Sequence, residues 1–362
     1  MSGYRSRGAA IDPPQRFSGR EIVLDGDELD RATVAGERRE PRTRVFVDDS
    51  RSVVSRNDSP DIPFDLSLNP YRGCEHGCPY CYARPSHELL GLSAGLDFER
   101  LVFAKRHAPA LLAAALASPS WARRQLAMSG VTDPYQPVER RLRITRGCLE
   151  VLAAHRQPVG VVTKNALVER DLDLLADLAR WGAARVSISI TTLDEDLRRR
   201  LEPRTSRADD RLRALRSLSQ AGVPAGVMVA PVIPGLNDHE VPAILAAAAE
   251  HGATSAGWTL LRLPGAVQPI FLEWLQSQVP LRARRVVARV RDTRGGALDD
   301  GRFGHRMRGQ GSYAAQLRRV FELHRRRTGL DGPWPELSGE HFRVPGRTVQ
   351  GRLFQPAATP GA

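Results

Sequence analysis

From Phe64 onward, short β-branched or apolar runs alternate with longer stretches of helical period, and that alternation confines the chain to folds built from βα units around a parallel sheet. Strands are predicted at Asp65 to Leu68, Gln125 to Ser129, Val159 to Thr163, Arg185 to Thr191, Pro224 to Val232 and Thr254 to Leu261, with Leu101 to Ala104 as a short extra strand. Helical patterns fall between them, near 137–154, 166–181, 207–221 and 238–250. Pro137 suits a first helical turn, where its missing N–H costs nothing, and Asp238 can cap the donors at the start of its helix. Gly222 and Gly252 sit where helices should stop. Successive right-handed βα units close into a full or partial barrel whose reactive face lies at the C-terminal ends of the strands.

The rest of the chain divides around that core. Residues 1–62 mix Arg, Asp, Glu, Ser, Pro and Gly without a sustained period and read as an irregular or disordered leader. Residues 63–266 form the βα core, 267–343 a basic, mostly helical extension, and 344–362 a flexible tail. The formal charge is +12, and the stretch from Leu281 to Leu330 contains fourteen Arg against three Asp and one Glu. Such clustering suits a nucleic-acid partner; a solvated helical face is the alternative. The apolar runs, Ala108 to Ala117 and Val241 to Ala249, are too short to span a bilayer, so a soluble, cytoplasmic protein with no membrane partner is expected.

Only four cysteines occur, and three of them, Cys74, Cys78 and Cys81, lie in the loop after the first strand. A disulfide framework is therefore not expected. Gly73, Gly77 and Pro79 permit the tight backbone that turns three thiolates toward one centre, and thiolates are the ligands of iron–sulfur clusters. Three protein ligands on a four-iron cluster leave one iron open. Cys148 falls on the apolar face of a helix with Ile144, Val151 and Leu152 and reads as a core residue. A structural zinc would need a fourth ligand, His76 or Cys148.

The segment from Asn69 to Tyr82, with Tyr80 just before the third cysteine, resembles the signature of the radical S-adenosylmethionine (SAM) superfamily, and within it the spore photoproduct lyase-like, or DNA repair photolyase-like, proteins. The resemblance covers about Phe64 to Leu263. It implies a partial (β/α)6 TIM-type barrel, a [4Fe–4S] cluster on Cys74, Cys78 and Cys81, and reductive cleavage of SAM to a 5′-deoxyadenosyl radical acting on an unidentified substrate. A flavodoxin or ferredoxin would supply the electron. A non-catalytic iron–sulfur or zinc protein that binds nucleic acid is the alternative.

Several residues are candidates for holding SAM. Asp133, with Thr132 beside it, follows the second strand and could accept bonds from the methionine ammonium; Glu139 is the second choice there. Lys164 ends the third strand, one of only two lysines beside 51 arginines, and could reach the methionine carboxylate. On the fourth strand Ser187, Ser189 and Thr191 share one face by the period of two, and the resemblance implies that one of the two serines touches the cofactor. Arg204 could clamp a carboxylate. In spore photoproduct lyases a hydrogen-donating cysteine lies just upstream of the Asp matching Asp133; the corresponding residue here is Gly130.

Overall fold

The computed structural model describes residues 7–14, 16–17 and 42–346. Its main sheet has seven strands. Six run parallel in chain order: β3 (Leu66–Leu68), β6 (Leu126–Met128), β7 (Val159–Thr163), β8 (Ala184–Ser189), β9 (Ala225–Val232) and β10 (Ser255–Leu260). β2 (Val54–Arg56) adds antiparallel to β3, so the sheet has two free edges, β2 and β10, and forms a partial rather than a closed barrel. The short extra strand is β5 (Leu101–Ala104), which leaves the barrel to pair with β1 (Arg44–Val47) and β4 (Tyr71–Arg72) in a small second sheet.

Each barrel strand sorts its side chains by the period of two. Val159, Val161, Val186, Ile188, Val227 and Val229 point outward into one buried core with the helices Ile144–His155, Leu172–Arg180, Ala208–Gln220 and Val241–Glu250. At about 25 cal/mol per Å² of apolar surface, that layer is the main source of cohesion. The inner face carries Gly160, Val162, Arg185, Ser187, Ser189, Gly226, Met228 and Gly257 instead, a face mostly of glycines and polar residues.

Two departures from the sequence reading matter for the site. The leader is not irregular throughout: β1 and β2 belong to it, and Arg7, Gly8 and Ala9 are buried. The extension is helical over Val267–Gln278, Pro280–Asp292 and Gly311–Arg327 only. Beyond Leu330 it runs without helix under the barrel, where Ser338 N–H donates to Gly182 O (3.0 Å), Arg185 Nη1 to Pro335 O (2.8 Å), and Arg343 N–H to His155 O (2.9 Å). There Trp334 fills the N-terminal end of the barrel: a Cβ on Gly226 would lie 2.5 Å from its ring. Trp334 thus plugs the barrel interior at the end opposite the cysteine loop. Most of the tail after 343 lies outside the described residues.

Candidate active site

The cysteine loop is held from beneath by a buried cation. Arg84, fully inaccessible, donates from Nε to Cys78 O (2.9 Å) and from Nη1 to Ala94 O (3.0 Å) and Gly95 O (2.9 Å), and pairs with the equally buried Glu99. Glu99 also accepts from Gly8 N (3.1 Å) and Ala9 N (2.8 Å), which ties the leader to the loop. Gly77 adopts a left-handed φ of +71°, and Gly8 packs so closely on it that a Cβ there would lie 1.5 Å from Gly77 O. Gln136 closes the other side, accepting from Glu75 N (2.9 Å) and donating to Gly73 O (3.1 Å).

Within this frame the thiols of Cys74 and Cys78 are buried and Cys81 is partly buried; each has its pKa pushed up, with desolvation the leading cause. Cys81 acts electrostatically on both of the others. Buried thiols of this kind ionise when a metal takes the proton's place. Among the described residues no three His, Cys, Asp or Glu side chains gather about one point as ligands of a single ion would. Three thiols carried by one loop are the donor set of an iron–sulfur cluster. Cys148 is fully buried in the outer core and does not join them.

Above the loop, the strand ends carry a buried charge network centred on Glu202. Its carboxylate accepts from Thr191 Oγ1 (2.6 Å) and Tyr80 Oη, and pairs with Lys164 Nζ (3.0 Å) and Arg211 Nη2 (2.6 Å). Although desolvation opposes ionisation, the Arg211 and Lys164 cations and the two hydroxyls hold its pKa well below the usual carboxylate range. Lys164 also donates to Ser189 Oγ (2.8 Å), Thr191 Oγ1 (2.9 Å) and Ala230 O (2.8 Å), and its Nζ lies 5.7 Å from the centre of the Tyr80 ring. Asp133 braces the neighbouring strand: Oδ1 accepts from Tyr135 N (2.8 Å) and Thr163 Oγ1 (2.7 Å), and Oδ2 accepts from Lys164 N (2.7 Å) and lies 3.4 Å from His76 Nδ1. Burial keeps His76 neutral by lowering its pKa.

A family model described as the radical SAM superfamily matches residues 68–248 of this chain, a span that begins at the last residue of β3 and contains the cysteine loop, the Glu202 network and the sheet as far as β9. The chain belongs to the radical SAM superfamily. An uncharacterized protein of Mycobacterium tuberculosis is 37% identical over 233 residues, 64% of this chain and 67% of its own. One from Methanocaldococcus jannaschii is 28% identical over 173 residues, 48% of this chain and 62% of that protein. Among solved structures, spore photoproduct lyase complexed with dinucleoside spore photoproduct superposes with a TM-score of 0.54 at 16% identity, covering 83% of this chain and 91% of that one. A point variant of the same lyase gives 0.55 at 16%, over 84% and 92%. These likenesses establish a shared fold.

As a radical SAM protein, the chain uses a [4Fe–4S] cluster and SAM as its cofactors, and the three buried thiols of the loop fit such a cluster. The candidates for holding SAM divide sharply. Glu139 faces away from the cavity: it is fully buried in the short helix Glu139–Leu142, accepts from Tyr71 Oη and Arg170 Nη2 (2.7 Å), and takes Thr145 N (3.0 Å) in the first turn of the next helix, Ile144–His155. Its role is structural. Arg204 is already clamped, by Glu75 Oε1 (3.0 Å) in the cysteine loop. Thr132 donates to Tyr71 O (3.3 Å). Asp133 and Lys164 stand at the mouth with their bonding capacity filled by the chain. Ser189 holds Lys164 and donates to Ala230 O (3.1 Å), whereas the Ser187 hydroxyl two residues before it has no hydrogen bond to the described residues.

Sequence reasoning passed over Glu202 and Arg211, although Glu202 stands two residues before Arg204. It also missed Arg84 and Glu99. An Arg-rich coding bias hides the few arginines that are buried; partners 9 to 15 residues away, as in Arg211 with Glu202 and Arg84 with Glu99, were the available signal.

Proposed function

We propose that this radical SAM enzyme acts on nucleic acid, by a route other than thiol-assisted repair of the thymine photoproduct. When bound, the cluster and SAM supply one-electron reductive cleavage to a 5′-deoxyadenosyl radical. The chain's own residues position and shield. Cys74, Cys78 and Cys81 would hold the cluster, with Tyr80 packed beside Cys78 and Lys164. Ser187, the inner-face hydroxyl with unused capacity, is the SAM contact, and Asp133 with Lys164 sets the strand ends around it. The Trp334 plug keeps water from entering beneath.

The observation that carries the substrate reading is where the basic extension lies. The helix Pro280–Asp292 buries Val286 and Val290 and packs at the reactive end, with the Arg285 and Arg289 stems against Gly235 in the loop after β9. Arg282, Arg284, Arg285 and Arg291 are exposed on it and form no ion pair among the described residues. The similarity in fold to a lyase solved with a dinucleoside lesion supports the same class. Against lesion repair stands Gly130, whose Cβ would meet Asn69 Nδ2 at 3.1 Å and Ser67 Oγ at 3.2 Å, so the place is filled by other side chains and offers no thiol.

Binding of a single-stranded oligonucleotide by the cluster-loaded protein tests this reading. Affinity should fall linearly with salt on logarithmic axes, by a slope of about 0.7 per phosphate contacted. Neutralising Arg282, Arg284, Arg285 and Arg291 should reduce that slope more than neutralising Arg318, Arg319, Arg325 and Arg326 on the outer helix Gly311–Arg327. Salt-independent binding, or efficient photoproduct repair by the wild-type protein, would contradict it.

A further inference from the structure

The open side of the barrel, between the edges β10 and β2, is bridged by the loop 301–309 of the basic extension. Met307 O accepts from Leu260 N (2.9 Å) at the end of β10. From there the loop reaches the segment joining β2 to β3: Gly304 N donates to Asp61 Oδ1 (2.7 Å), Arg306 Nε to Asp61 Oδ2 (2.5 Å), and Arg306 Nη2 to Ser59 Oγ. A backbone N–H and a guanidinium therefore hold one carboxylate across the entrance, the donor set that also cradles a phosphate.

Beside that clasp stands a cation with no carboxylate in direct contact, although Asp299 and Asp61 act on it from farther off. Arg262, just beyond β10, has no ion pair among the described residues; its Nε is buried without an acceptor, and its contacts are Met307 Sδ (3.7 Å) and the Tyr82 ring, 5.6 Å away. Arg84, Arg198 and Arg211 each meet a carboxylate, whereas Arg294, buried behind Arg262, spends its guanidinium on His305 O (3.0 Å) and Leu261 O (2.5 Å). Tyr82 follows the last cluster cysteine directly. Its hydroxyl donates to Gly130 O (2.8 Å), which fixes the ring across the mouth, while the residue remains 52% exposed. An exposed aromatic beside an unpaired guanidinium offers a stacking surface and a charge together.

We infer that Tyr82, Arg262 and Arg306 form a nucleotide-binding shelf at the barrel mouth: a base stacks on Tyr82, its phosphate sits between Arg262 and Arg306, and Asp61 occupies the phosphate position until substrate displaces it. This inference rests on the nucleic-acid reading above and specifies where the strand is gripped. The shelf lies next to the cysteine loop, so a base held there is presented to the reactive end of the cavity. Charge balance also accounts for Asp61: without an anion, Arg262 and Arg306 would repel each other across the entrance, as the depression of the Arg262 pKa by burial and then by Arg306 reflects.

The test measures binding of a fluorescent single-stranded oligodeoxynucleotide and of dTMP to cluster-loaded wild type, Arg262→Gln and Asp61→Asn, with iron content confirming the cluster in each. Arg262→Gln should weaken both ligands by about tenfold and lower the oligonucleotide salt slope by about 0.7. Asp61→Asn should strengthen both severalfold, a change of sign that a general loss of structure cannot produce. Wild-type binding of the oligonucleotide that is unaffected by Arg262→Gln, or weakened by Asp61→Asn, overturns the shelf and leaves the nucleic-acid reading standing. Binding of dTMP through Arg262 without binding of the oligonucleotide supports the shelf and overturns the strand as substrate. Failure of both ligands to bind wild type overturns both.

Discussion

Glu202 joins Lys164 and Arg211 in one buried network at the strand ends, and the behaviour of single residues around it is the most direct consequence of the geometry. Replacing it with Gln would leave Lys164 and Arg211 buried without their anion, a change worth about 3–5 kcal/mol of stability. Chemical denaturation should show that loss. Because its folded pKa lies below the ordinary value of 4.5, its stabilising contribution is complete above that pH and is lost as the pH falls below it. Acid unfolding of the wild type should therefore steepen below about pH 4.5, and Glu202→Gln should flatten that dependence. At the cysteines, Ala at 74, 78 or 81 should each abolish iron and sulfide incorporation, whereas Cys148→Ala should keep both and cost about 1 kcal/mol as a small core truncation. Ser187→Ala should weaken SAM binding, read by equilibrium dialysis, with unchanged iron content and melting temperature; unaltered affinity would remove Ser187 from the cofactor site. The cysteines and the alternation of Ser187 and Ser189 with Val186 and Ile188 were legible in the sequence because spacing alone sets them. The true engagements of Glu139 and Arg204 were not, because a carboxylate or guanidinium at a strand end reads the same whether it faces a cofactor or a neighbour 31 or 129 positions away.

At the level of elements, β7 is found as read from the pattern, Val159 to Thr163, and β8 to β10 differ from their predicted spans only at the ends. Local periodicity is enough where a strand is buried between two neighbours. It was not enough for the helix near 137–154, which breaks at Arg143 with a left-handed φ of 55°; no Gly or Pro marks the break, and Glu139 folds back to accept from Thr145 N beyond it. Nor could the pattern reveal that the leader matters. Its hold on the cysteine loop rests on contacts spanning about ninety residues, Gly8 and Ala9 with Glu99, which leave no periodic trace. Gly8→Ala forces a Cβ into Gly77 O and should release that segment. The visible absorbance of the cluster should then bleach several times faster in air, and bleaching at the wild-type rate would show that the leader does not guard the loop.

Across the whole molecule, the fold places three requirements of a radical enzyme at one end of one cavity. The thiol loop is locked by Arg84 and Glu99, the strand ends are braced by Asp133 and Glu202, and the opposite end is closed by Trp334. The βα order that organises this was visible from the sequence, since each unit is local. The closure beneath by the C-terminal segment and across the open side by Asp61 and Arg306 was not, because both join the two ends of the chain. The central claim, that these parts serve SAM cleavage at a cluster, is tested most directly by incubating anaerobically reconstituted, dithionite-reduced protein with SAM and quantifying 5′-deoxyadenosine. The account predicts its formation by wild type and its absence from Cys74→Ala, Cys78→Ala and Cys81→Ala. Wild-type protein with a full complement of iron and sulfide that binds SAM yet releases no 5′-deoxyadenosine would contradict it.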